Sequence, residues 1–144
     1  MARRGVATGG TLLLDSEGLV KLAEGHPRPR AHLDTARARG ARVAVSAITL
    51  TEVLRGGQRD ARIHQVLSRI TTLPVTPLLA RRAGELLGST GLSGHRCAID
   101  AVVAVTALEA ARPVVLLTSD PDDLGRLVEE PERPKNQRVA VLHV

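Results

Sequence analysis

The sequence predicts an α/β fold of three layers, a mostly parallel central sheet with helices on both faces. Strand-length apolar runs recur at residues 11–14, 42–46, 113–118 and 138–144. They are close to continuously hydrophobic, as strands buried on two faces are, and segments of helical composition separate them. Four such strands alternating with helices imply βαβ units, hence parallel pairing.

Residues 1–10 contain three Gly and two Arg and read as a mobile lead-in, so one domain is expected over 11–144. Thr11-Leu12-Leu13-Leu14 is the first strand and delivers Asp15 at its carboxyl end; a short helix follows over 16–23. Gly25 to Pro29 reads as a turn, and 31–39 as a helix stopped by Gly40. Arg42 to Ser46 is the second strand and runs almost directly into a helix through Glu52 that ends at Gly56-Gly57. Ile63, Val66, Leu67 and Ile70 fall at i, i+3, i+4 and i+7, one stripe of an amphipathic helix. Residues 73–75 suggest a short strand, 78–87 a helix and 88–94 a loop. Residues 99–111, mostly Ala and Val with Asp100 near the start, predict a helix buried on most sides. The strand 113–118 then ends in Ser119-Asp120-Pro121-Asp122-Asp123, a polar loop occupies 129–137, and 138–144 closes the chain as a strand.

Composition narrows the function. The 144 residues include no Phe, Tyr or Trp, which excludes modules that stack bases on aromatic rings, aromatic methyl-lysine cages and aromatic membrane belts. The net charge is +5, and of 20 basic residues only Lys21 and Lys135 are Lys, so an anionic partner met by planar guanidinium groups is favoured. The single Cys97 fits a reducing compartment. The apolar run after Arg3-Arg4 is too short for a signal peptide, and no segment approaches the roughly 18 apolar residues of a membrane span. A cytoplasmic protein without a membrane partner is expected.

Four acids stand out by position. Ligands of open α/β sheets bind at the carboxyl ends of the strands, and Asp15, Glu52 and Asp120 each follow a strand directly or within one turn. Asp100 lies in an otherwise apolar helix, where a carboxylate is costly unless compensated. Each has an ordinary alternative: a helix cap for Asp15, a pair with Arg55 for Glu52, a first-turn charge for Asp100, and capping for Asp120, Asp122 or Asp123. Converging carboxylates would repel unless a cation joined them; oxygen-only ligands favour Mg²⁺ or Mn²⁺ over zinc. Such a site activates water at a phosphodiester, and with a basic surface it reads as a nuclease.

These residues carry a resemblance. Leu13-Leu14-Asp15-Ser16, Ser46-Ala47-Ile48-Thr49-Leu50-Thr51-Glu52-Val53, Ala98-Ile99-Asp100-Ala101-Val102-Val103-Ala104 and Leu117-Thr118-Ser119-Asp120-Pro121-Asp122-Asp123-Leu124, in that order, resemble the PIN-domain ribonucleases of the VapC toxin type over residues 11–144. The resemblance implies a PIN-like domain whose catalytic and metal-holding quartet is Asp15, Glu52, Asp100 and Asp120, with Asp123 as a further acid and Asp122 left at the surface. It implies that the hydroxyls of Ser16 and Thr118 orient the carboxylates, whereas Glu17 departs from the small polar residue expected there. It further implies metal-dependent hydrolysis of RNA to a 5′-phosphate and a 3′-hydroxyl, a homodimer, and an antitoxin that blocks the site, plausibly with a basic side chain.

Arg81, Arg82 and His95 are candidate RNA contacts, and Arg37, Arg39 and Arg42 are further candidates for a phosphate track, although spacing does not show that they share a face; Cys97 reads as a small buried hydrophobe, and no glycine-rich phosphate loop is present. A dehalogenase-like phosphatase or a receiver domain also places Asp at strand ends. Asp15-Ser16-Glu17 lacks the expected Asp-x-Asp, and no Lys stands near Thr118. The rival from another class is a PIN-fold module that binds a protein or nucleic-acid partner without cutting.

Overall fold

The computed structural model describes residues 9–144. In chain order the elements are β1 (Thr11–Leu14), α1 (Ser16–Ala23), α2 (Pro27–Ala38), β2 (Arg42–Ser46), α3 (Thr49–Val53), α4 (Ala61–Leu67), β3 (Thr71–Leu73), α5 (Pro77–Thr90), α6 (Gly94–Glu109), β4 (Val114–Thr118), α7 (Pro121–Leu127) and β5 (Ala140–His143), with 3₁₀ turns at Gln58–Asp60 and Lys135–Gln137. The five strands form one sheet in the order β3-β2-β1-β4-β5, every pair parallel. The sheet is therefore wholly parallel and has one strand more than the four read as certain.

Period-two alternation sorts the strand residues between two cores. Leu12, Leu14, Val43 and Val45 face α1, α2 and α4 through Leu19, Leu22, Leu33, Ala36 and Ile63. Leu13, Ala44, Val114 and Leu116 face α6 and α7 through Val103, Ala104, Ala107, Leu124 and Leu127. A third cluster, Leu79, Ala83, Ala101 and Val105, packs α5 onto the back of α6. Without aromatic rings, small Ala and branched aliphatic side chains let helices and sheet approach closely enough to fill the space.

Several boundaries differ from the sequence reading. The turn expected at 25–29 instead starts α2, because Pro27 and Pro29 fall in the first turn, where their missing N–H groups would find no helical partner. α5 runs through Gly88 to Thr90, capped by the Thr76 hydroxyl and closed by Gly91 at φ +72°, which leaves only three residues of the expected loop. α6 begins at Gly94, five residues early, because Ser93 Oγ accepts from Arg96 N. Asp100 thus lies in the second turn and is not a first-turn charge. β3 precedes Pro74, which has no N–H for the ladder, and β5 is shorter than 138–144.

Of the expected lead-in, residues 1–8 lie outside the described residues, whereas Gly9 and Gly10 are held by the sheet. Gly10 O accepts from Arg42 N, and Gly9 O accepts from Arg39 Nε. Gly10 has φ +85°, and a Cβ there would lie 2.0 Å from Pro113 O, so only glycine fits where the entries to β1 and β4 meet.

Candidate metal centre

Strand order reverses between β1 and β4, which leave for opposite layers at their carboxyl ends and open a crevice there. Asp15 follows β1 and caps α1: its Oδ1 accepts from Gly18 N at 2.8 Å. The cap expected as an alternative is real, yet it uses one oxygen of the carboxylate. Gly18 makes this possible, since a Cβ there would sit 3.0 Å from Leu117 O. Asp15 is 9% exposed, and burial raises its pKa above the ordinary carboxylate value; hydrogen bonds from Thr118 and Gly18 oppose this, while Glu17 and Glu52 add to it. The Thr118 hydroxyl, fully buried, also accepts from Asp120 N at 2.9 Å and so ties the two strand ends together.

Asp120 precedes α7, and its side chain makes no capping bond. Asp123 lies three residues on, on the same side of the first turn, whereas Asp122 is exposed. Asp100 reaches the crevice from α6. One carboxylate oxygen from each of Asp100, Asp120 and Asp123 lies within 4.8 Å of the others. Glu52, exposed on α3, acts on the same cluster; the Arg55 guanidinium instead donates to Thr51 O and Leu54 O. Burial first, then Glu52, Asp120, Asp123 and Asp15 in that order, pushes the Asp100 pKa up to about 6. Among the described residues, no ion pair joins an Arg or Lys to any of the five acids.

Donor chemistry and spacing fit a hard divalent cation, because all the donors are carboxylate oxygens, three are close enough to share one ion, and their mutual repulsion is what a cation removes. Ser16 opens α1 beside Asp15, half-buried. The candidate RNA contacts do not join the cluster. Arg82 is bonded to Glu109 at the last residue of α6, roughly 13 Å along the helix from Asp100. Arg81 is exposed on the same helix as Arg82. His95 is exposed in the first turn of α6 and lies about 140° around the axis from Asp100.

Two residues were missed in the sequence. Ser46 Oγ accepts from Ile48 N and shapes the turn that brings Glu52 in. Thr49, one turn before Glu52 and fully buried, has an Oγ1 without a hydrogen-bond partner. A hydroxyl among apolar neighbours was the only signal for either.

The family model for the PIN domain matches residues 12–129. The chain is a member of the PIN domain family. No curated protein sequence matches it significantly. Among solved structures, this PIN domain is similar to the VapBC2 complex of Rickettsia felis bound to a promoter DNA fragment, with 20% identity, a TM-score of 0.66, and 93% of this chain and 98% of that one covered. It is also similar to FitAB bound to an IR36 DNA fragment, with 21% identity, a TM-score of 0.62, and 92% and 94% covered. A toxin–antitoxin complex from Klebsiella pneumoniae gives 23% identity, a TM-score of 0.59, and 78% and 88% covered. At these identities the likeness is one of fold, and it bears out the three-layer α/β architecture.

Proposed function

We propose that this PIN domain is a metal-dependent endoribonuclease and the toxin of a toxin–antitoxin pair. The observation that carries the reading is the convergence of Asp15, Glu52, Asp100, Asp120 and Asp123 on one crevice at the reversal of strand order. In this reading Asp15, Glu52, Asp100 and Asp120 are the catalytic and metal-holding acids, and Asp123 completes the donor set. Mg²⁺ or Mn²⁺ bound there would supply Lewis-acid stabilisation of charge on the phosphoryl oxygens and a more acidic water. The protein's own part is positional. Hydrogen bonds from Thr118 and Gly18 favour the ionised form of Asp15 against its burial, the Thr118 hydroxyl sets the backbone at Asp120, and the Ser16 hydroxyl stands beside the first acid. Hydrolysis forms a bond from the water oxygen to phosphorus and breaks the bond from phosphorus to O3′, leaving a 5′-phosphate and a 3′-hydroxyl.

Support for the toxin reading comes from the similar structures, among them the toxin–antitoxin complex from Klebsiella pneumoniae. An antitoxin would supply to the crevice the positive charge that the described residues do not, and a cytoplasmic homodimer accompanies this reading. Among the described residues, no helix is long and apolar enough to cross a membrane. The test is cleavage of a mixed cellular RNA pool with Mg²⁺, Mn²⁺ or EDTA, run beside Asp100→Asn. Discrete fragments that require both metal and Asp100 are expected. No cleavage by the native protein in either metal would overturn the reading in favour of a partner-binding PIN module.

A further inference from the structure

We propose that Arg30, Arg37, Arg62 and Arg69 form a phosphate-binding pocket that holds an RNA strand beyond the acidic crevice, an inference that rests on the ribonuclease reading. The four side chains line a cavity of about 230 Å³ where the end of α1 meets α2 and α4, over an apolar floor that includes Leu33 and Val66. No Asp or Glu lines it. Asp34 lies 3.8 Å from Arg30, but both side chains are mostly exposed, so water screens the pair. Arg37 Nη2 donates to Arg69 O, which anchors one guanidinium at the rim without cancelling its charge.

Four positive charges thus share one concave surface with no acid among them. Planar guanidinium donors match phosphate oxygens two at a time, and the apolar floor carries the Arg stems. The location suits a strand that also visits the acids. α1 has Asp15 at its start and Ala23, part of the pocket lining, at its end, so pocket and crevice are roughly 12 Å apart along that helix. A carboxylate cluster repels a polyanion, and a separate basic site upstream or downstream of the cut supplies the attraction. With no Phe, Tyr or Trp in the chain and no His lining the pocket, the hold is on the backbone and independent of base sequence. The pocket takes the role that Arg82, bonded to Glu109, does not fill.

The experiment measures binding of a fluorescent single-stranded RNA of mixed sequence to the full chain across a salt series. Asp100→Asn is present throughout, so that nothing is cut. R62A/R69A is expected to bind at least tenfold more weakly at low salt, with a slope of log K on log salt shallower by about 1.4, since each phosphate contact on a single strand contributes about 0.7. R133A/K135A, in the exposed loop before β5, removes the same charge elsewhere and is expected to leave the slope unchanged. An unchanged slope in R62A/R69A, or equal flattening in both variants, overturns the pocket. If the native protein still cuts RNA in that case, the ribonuclease reading stands alone; if it neither binds nor cuts RNA, both fall. An unchanged RNA slope with lost binding of polyglutamate would assign the pocket to an acidic protein segment instead.

Discussion

Asp100 and Thr118 show what single side chains contribute at the crevice. Asp100 stands out in the sequence as an acid in an otherwise apolar helix, and in the fold burial and four neighbouring carboxylates bring its pKa to about 6. A group whose folded pKa lies above its unfolded value binds the proton more tightly when folded, so the cost of ionising it is present above about pH 6 and disappears below about pH 4. In metal-free protein at pH 7, Asp100→Asn should therefore raise stability by on the order of 1–2 kcal/mol, discounted for partial exposure, and the gain should vanish near pH 4 in urea titrations. Equal stability of the two proteins at both pH values would contradict the repulsion. Thr118→Val removes the donor to Asp15 and the acceptor for Asp120 N, and leaves that N–H without a partner. Calorimetry should then show Mn²⁺ affinity reduced by about 10–100-fold, with a stability loss of about 1–3 kcal/mol.

At the scale of elements, strand ends were easier to read than helix starts. Leu12 to Leu14 and Val114 to Thr118 are apolar runs that admit one interpretation, and the acids after them were found because a strand end is a place where ligands gather. Helix starts depend on one polar side chain and on tolerance for Pro, so Pro27, Ser93 and Thr76 moved three boundaries that hydrophobic period cannot mark. Glu52 was legible as an acid that closely follows a strand, and Asp100 as an acid in an otherwise apolar helix. That Arg81 and Arg82 stand apart from the cluster, and that four other arginines share a pocket, depends on helix packing, which spacing along the chain does not encode. Gly10→Ala tests the joint between β1 and β4. Its φ of +85° and a Cβ 2.0 Å from Pro113 O should cost at least about 1–3 kcal/mol by chemical denaturation, whereas Gly84→Ala, with open space in mid-helix, should be neutral or stabilising.

For the whole molecule, metal and fold are linked through charge. Binding to the folded state alone stabilises by about 2.7 kcal/mol at a hundred times the dissociation constant, so Mn²⁺ should raise the melting temperature of the native chain and not that of Asp100→Asn. Below about pH 6 the proton on Asp100 competes with the ion, and calorimetric affinity should fall as pH decreases toward 5. An affinity independent of pH across this range would exclude Asp100 from the site.

Thr11 Oγ1 donates to Ala111 O, 100 residues away, and β1 and β4 lie side by side at the centre of the sheet. Asp15 leaves the ribosome about a hundred residues before Asp120, so the crevice has only one of its walls until β4 has followed. A chain interrupted before β4 contains Asp15, Glu52 and Asp100 but lacks the strand that delivers Asp120 and Asp123, and closing so long a loop is a slow step in folding. The acidic crevice is thus among the last parts of this PIN domain to assemble, and a truncated copy has no complete cation site to fill.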